Sequence, residues 1–89
     1  MRFTWDPEKE RRNKRDHDIG FQEATTVFGD SLAVTVSDTD HSVGEERFLT
    51  VGQSKSGQLL VVCHTEQGDT IRIISARLAT AHERKDYET

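Results

Sequence analysis

Large apolar residues arrive in short dense runs set between long polar stretches, and their spacing changes once along the chain. From Phe21 to Phe28 they recur at helical intervals; from Leu32 onward they alternate or run together as strands do. Phe3-Thr4-Trp5 alternates just before Asp6-Pro7 and predicts a short strand entering a helix. Asp6 can accept from the free amides of the first turn, and Pro7 has no N–H to leave unpaired there. That helix is expected to run to about Asp16. Its interior has almost no apolar stripe, so it has to dock through Trp5, Ile19 and the alkyl stems of its long side chains. A second helix, about Phe21 to Phe28, sets Phe21, Ala24 and Phe28 on one face and stops at Gly29-Asp30.

The strand-like part begins with Leu32, Val34 and Val36 and is followed by a polar loop over Ser37 to Gly44. Phe48 to Gly52 is the next strand, and Gln53 to Gly57 has the glycine-containing length of a hairpin connection. Leu59-Leu-Val-Val-Cys63 is continuously apolar and should be the buried centre of the sheet. Glu66 to Asp69 turns the chain into Thr70 to Arg77, a β-branched strand ending in arginine. Thr80 and Glu83 have the spacing of a capping box and open a last helix to about Tyr87. The expectation is an α+β domain: two N-terminal helices on a roughly four-stranded antiparallel sheet, a short C-terminal helix, and one sheet face left partly open.

Composition narrows the function classes. With 89 residues there is material for one core, so residues 1–89 are read as a single domain. No apolar stretch approaches the roughly 18 residues that span a bilayer, and the N-terminus lacks the layout of a signal peptide, so a cytoplasmic protein with no membrane contact is expected. Cys63 is the only cysteine and cannot form an internal disulfide; it reads as a small strand residue. A net charge of −4 speaks against general duplex-DNA binding. Six of the twelve Lys and Arg precede residue 16 and none falls between Asp16 and Glu46, so a local basic groove is still compatible with that charge.

Candidate chemistry is sparse. No glycine-rich phosphate loop, nucleophile elbow or HExxH is present. Asp38, Asp40 and His41 form the one compact group of hard metal ligands, which in a polar loop reads more simply as turn chemistry; no metal and no cofactor are expected. Arg47, Arg72 and Arg77 lie in or at the ends of strands, His64 ends the apolar run, and Glu83, Arg84 and Tyr87 gather on the last helix. Such a set suits metal-independent RNA cleavage, in which a ribose 2′-OH attacks the adjacent phosphate. That reaction needs a proton acceptor, cations for the phosphorane and a proton for the leaving oxygen. The plainer alternative pairs Arg72 and Arg77 with sheet-edge carboxylates. Arg72 and Arg77 are five positions apart, so a regular strand points them to opposite faces unless it bulges or ends between them.

Several segments extend the reading: Trp5-Asp-Pro, Asn13-x-x-x-His17, Phe21-x-Glu-Ala24, Asp40-His-Ser-x-Gly-Glu-Glu-Arg-Phe48, Gly52-x-Ser54, Arg72-Ile-Ile-Ser-Ala-Arg77, Ala79-Thr80 and Glu83-x-x-x-Tyr87. Together they resemble the BrnT toxin family nearly end to end. The resemblance implies a RelE-like fold and a ribonuclease that blocks translation. It also implies a BrnA-type antitoxin that neutralises the toxin, binds operator DNA, and holds the toxin in a hetero-oligomer. The catalytic set expected on this basis is Arg77, Arg72, Arg47, His64, Tyr87 and Glu83. One departure is local: where the family commonly has Lys-His-Gly, this chain has Asp16-His17-Asp18, which puts two carboxylates in place of a cation and a glycine. His17 is therefore read as a helix-end residue rather than a base. The alternative function is a binding module that keeps the fold and the antitoxin but cuts nothing.

Overall fold

The computed structural model describes residues 1–88. Strand β1 (Arg2–Trp5) leads into helices α1 (Pro7–His17) and α2 (Phe21–Thr26), the latter ending in a 3-10 turn over Val27–Gly29. Strands β2 (Val34–Ser37), β3 (Phe48–Gln53), β4 (Leu59–Gln67) and β5 (Thr70–Leu78) follow, then helix α3 (Ala81–Glu88). The α+β class holds, with one correction to the sheet. It has five strands in the order β1-β5-β4-β3-β2, and it is mixed, because β1 lies parallel to β5. The four antiparallel strands expected from periodicity are β2 to β5, each paired with its sequence neighbour. Phe3-Thr4-Trp5 is a strand as read, and the two helices between it and β2 form the crossover that brings it to the far edge.

The core lies between α1, α2 and one sheet face. Ile19, Phe21, Ala24 and Val27 from the helical side meet Leu60, Val62, Ile71, Ile73 and Ala76, with Phe3, Trp5 and Phe28 packed around them. β4 is buried from Leu59 to His64, which makes it the centre its continuous apolar run required. Gly52 of β3 is needed for the close approach of the 3-10 turn: a Cβ there would meet Val27 Cγ1 at 2.8 Å and Ala33 Cβ at 3.0 Å.

The polar helix α1 docks by a device that its apolar pattern did not disclose. Asp6 accepts from the Glu8 amide and Asp18 closes the helix in the left-handed region, as capping rules favour. Between them Asn13 is the one buried residue of α1. β1 leaves β5 after the Trp5–Ile73 pair, and Asn13 takes over the vacated edge: its Nδ2 donates to Ala76 O (2.9 Å) and Ile19 O (2.8 Å), and its Oδ1 accepts from Ala76 N (3.0 Å). One amide side chain thus replaces a strand residue. Glu10 extends the same logic by accepting from the Phe21 amide at 2.9 Å, which caps α2 where Gly20 has no side chain to do so.

Candidate functional site

The second sheet face, away from α1 and α2, carries the arginines. β4 and β5 pair regularly from Leu60–Leu78 to Cys63–Ser75, then step to His64–Ile73, so Ile74 is an extra residue on β5 with no opposite number. Such a bulge resets the alternation. Ile71, Ile73 and Ala76 all face the core, whereas Arg72 sits opposite Thr65 and Arg77 opposite Val61. Thr65 and Val61 share the outer face of β4, so Arg72 and Arg77 share a face as well. The regular-strand expectation of opposite faces is replaced by the bulged one.

At one end of this face Arg72, Arg47 and Glu45 form a cluster from separate segments. Arg72 Nη2 donates to both oxygens of Glu45, at 2.7 and 2.9 Å, and Arg47 Nη2 stands 3.6 Å from the same carboxylate. The Arg72 hydrogen bond, aided by the charge of Arg47, holds the Glu45 carboxyl below its ordinary range. Arg47 Nε is buried without a hydrogen-bond partner. The loop that brings Glu45 here is tied at its base: the Asp38 amide donates to Arg47 O at 2.8 Å, and Ser42 Oγ accepts from the Arg47 amide at 3.0 Å while donating to Asp38 O at 2.6 Å. His41 Nδ1 lies 3.1 Å from Asp38. Among the described residues, no three His, Cys, Asp or Glu side chains stand together as a metal-ligand set.

At the other end, Arg77 forms a fork-to-fork pair with Glu83 of α3, Nη1 to Oε1 at 2.7 Å and Nη2 to Oε2 at 2.8 Å. Glu83 also accepts from the Thr80 amide (2.8 Å), and the Glu83 amide donates to Thr80 Oγ1 (3.2 Å), which completes the capping box read from the sequence. Chiefly through the Arg77 hydrogen bonds, the Glu83 carboxyl is brought down to about 2, and the same pairing raises the Arg77 guanidinium. Arg77 therefore anchors α3 while presenting an edge to solvent. Beside it an open groove of ≈ 430 Å³ is lined by Asp16, His17, Leu78 and Thr80. The end of α1 thus brings the exposed His17 to the Arg77 strand end.

Tyr87 and His64 stand apart from this groove. The Tyr87 hydroxyl donates to Asp30, which raises the phenol; Asp30 is lowered first by the Gln53 amide and then by Tyr87. Tyr87 is thereby a latch for the far end of α3. Under that helix a narrower groove of ≈ 210 Å³ is walled by Val34, Val36, Leu49, Val51 and Val61. His64 lies on the core side and is fully buried. Its ring stacks on Phe48, meets the edge of Phe28, and bonds to Thr50 Oγ1 through Nε2 at 2.7 Å. Burial holds it below the ordinary imidazole value, against an opposing pull from Glu66. The sheet separates it from the arginines, so the expectation that His64 joins them is corrected: the even-numbered residues of β4 face the core. Periodicity could have shown this, since His64 continues the Leu60–Val62 alternation. Cys63 is buried on the arginine side, and burial raises its thiol.

A small α+β domain that gathers arginines on one sheet face beside a short C-terminal helix is, by its sequence match, a ribonuclease toxin of a type II toxin–antitoxin system. The profile of the family described as the ribonuclease toxin BrnT of type II toxin–antitoxin systems matches residues 5–83, and the chain belongs to that family. A crystal structure of the Brucella abortus ribonuclease toxin, BrnT, has a similar fold, with a TM-score of 0.69 at 20% identity over 90% of this chain and 97% of that one. No curated protein sequence matches the chain. Among the described residues, no helix is long and apolar enough to cross a membrane.

Proposed function

We infer that this protein, as a cytoplasmic member of the RelE-like ribonucleases, cuts RNA endonucleolytically and without a metal ion and so arrests translation. The observation that carries the reading is the bulge at Ile74, which puts Arg72 and Arg77 on one face with Arg47. In the reaction the ribose 2′-OH loses its proton to a base and attacks the adjacent phosphorus. The P–O5′ bond then breaks, the leaving oxygen gains a proton, and the products are a 2′,3′-cyclic phosphate and a 5′-OH end. Arg77 meets the charge that develops on the phosphorane, where a fixed planar donor pair is most effective. His17, exposed in the same groove, is the imidazole that the geometry offers for proton transfer. Glu83 and Tyr87 act through α3, by holding Arg77 and the helix in place.

Incubation of purified protein with single-stranded RNA, with and without EDTA, tests this. Cleavage is expected in both, yielding cyclic-phosphate ends; intact RNA at high concentrations of folded protein overturns it. A second reading, a non-catalytic module that keeps the antitoxin partner, is favoured by one observation: Arg72 and Arg77 are each already paired with a carboxylate of the same chain.

Membership of a type II family implies an antitoxin protein. We take it to be of BrnA type, to bind operator DNA on the complex's behalf, and to lay an acidic segment over the Arg47–Arg72–Arg77 face in a hetero-oligomer.

A further inference from the structure

Glu45 occupies the Arg47–Arg72 pair much as a phosphate would. Its two oxygens lie 2.7 and 2.9 Å from one guanidinium nitrogen and one of them lies 3.6 Å from a second guanidinium, and guanidinium N–H groups donate to carboxylate and phosphate oxygens alike. Among the described residues Arg47 Nε has no hydrogen-bond partner although it is buried. Glu45 is also easy to displace. Its side chain is 42% exposed, so the carboxylate can be replaced from solvent. The loop is tied at Asp38, Ser42 and Arg47, so only its tip, from Val43 to Glu46, has to move. On the outer face Thr65, opposite Arg72, and Val61, opposite Arg77, are four positions apart on β4, roughly 13 Å along the strand. The two cation centres are therefore too far apart to share one phosphate.

We propose that Arg47 and Arg72 form a subsite for a backbone phosphate of single-stranded RNA flanking the scissile one, and that Glu45 fills it in the free protein as an internal phosphate mimic which the RNA displaces. This rests on the ribonuclease reading. It makes the loop tip a built-in competitor: RNA must engage at least two phosphates to open the site, so short or poorly placed strands are discriminated against.

The test is binding of a fluorescent single-stranded RNA methylated at every 2′-oxygen, which lacks the attacking hydroxyl, followed by anisotropy over a salt series. The proteins are the unsubstituted chain, Glu45→Gln, Glu45→Ala, Arg72→Ala and Glu45→Gln/Arg72→Ala, with folding checked by thermal melts. Both Glu45 variants should bind at least about fivefold tighter at low salt. Their plot of log affinity against log salt should be steeper by roughly 0.7, because in the unsubstituted protein the displaced Glu45 carboxylate offsets the counterion release of one phosphate contact. The double variant should bind no tighter than Arg72→Ala alone. Folded Glu45 variants that gain nothing, or a gain that persists without Arg72, overturn the proposal, as does unfolding of both Glu45 variants, which would make Glu45 a structural tie. Cleavage of unmodified RNA by the same proteins separates the two failures. A chain that cuts RNA but gains nothing from Glu45→Gln loses only the mimic, whereas a chain that neither binds nor cuts RNA loses both.

Discussion

Arg72 and Arg77 share a face of β5 although five positions separate them, because Ile74 enters between them with no partner on β4. Deleting Ile74 removes the extra residue and makes the Cys63–Ser75 and His64–Ile73 pairs adjacent on both strands, so Arg72 and Arg77 keep one face while Ile71, Ile73 and Ala76 stay in the core. The deletion is therefore expected to cost less than the roughly 3 kcal/mol or more of an unpaired arginine turned into the core. Urea unfolding measures it; a loss of that larger size would mean that the register is not held as described.

Arg77 has two roles that separate on substitution. Arg77→Ala removes the cation and the α3 anchor together, so RNA cleavage is expected to fall about a hundredfold or more. Glu83→Gln keeps the cation and loosens only the anchor, at about 1 kcal/mol because the pair is partly open to water. Initial cleavage rates and melting curves on the same preparations give both quantities. Equal rate losses in the two variants would reduce Arg77 to a structural residue.

What the sequence disclosed follows from how local each cause is. Caps, turns and strand runs are written within a few residues, and Asp6, Pro7, Thr80 with Glu83, and the apolar run of β4 all do in the structure what their spacing implied. The parallel pairing of β1 with β5 was not legible, since it joins segments nearly the whole chain apart and no local pattern distinguishes a parallel neighbour from a free strand. The bulge was visible only as a possibility, because an extra strand residue is defined by its partner. His64 was misplaced for a different reason: its chemistry was weighed ahead of its alternation with Leu60 and Val62. His17, read from the sequence as a helix-end residue, lines the same open groove as Arg77.

Asn13 supplies a further test, since its single side chain holds α1 to the sheet. Asn13→Leu keeps the volume but strands Ala76 N–H and the carbonyls of Ala76 and Ile19, all buried. A loss of about 2–4 kcal/mol is expected, at a penalty of about 1–3 kcal/mol for each unsatisfied group with partial relief from water. A variant within about 0.5 kcal/mol of the unsubstituted protein in urea unfolding would refute the strand-replacement role.

Acid should weaken the fold in two separable steps. His64 is held below its ordinary value of 6.5 by burial, so the fold prefers the neutral ring. That preference contributes fully above pH 6.5 and is lost as pH falls below it, because the unfolded chain then takes up a proton that the native core resists. The groups facing the ring are Glu66, 3.7 Å from Nδ1, which softens the effect, and the uncharged Thr50, Phe28 and Phe48. Glu83 acts lower on the scale. Its carboxyl is depressed from 4.5 to about 2 by Arg77, so its contribution is complete above 4.5 and disappears as pH falls toward 2, worth about 1 kcal/mol after allowance for solvent screening. Urea unfolding from pH 8 to pH 2.5 should therefore show a first decline beginning near 6.5 and a further one below 4.5. His64→Gln, with an amide able to meet Thr50, should remove the first and leave the second, and Glu83→Gln should leave the first and shrink the second, which the lowered carboxyls of Asp30 and Glu45 share. A first decline that survives His64→Gln in a folded protein would refute the buried neutral ring as its source.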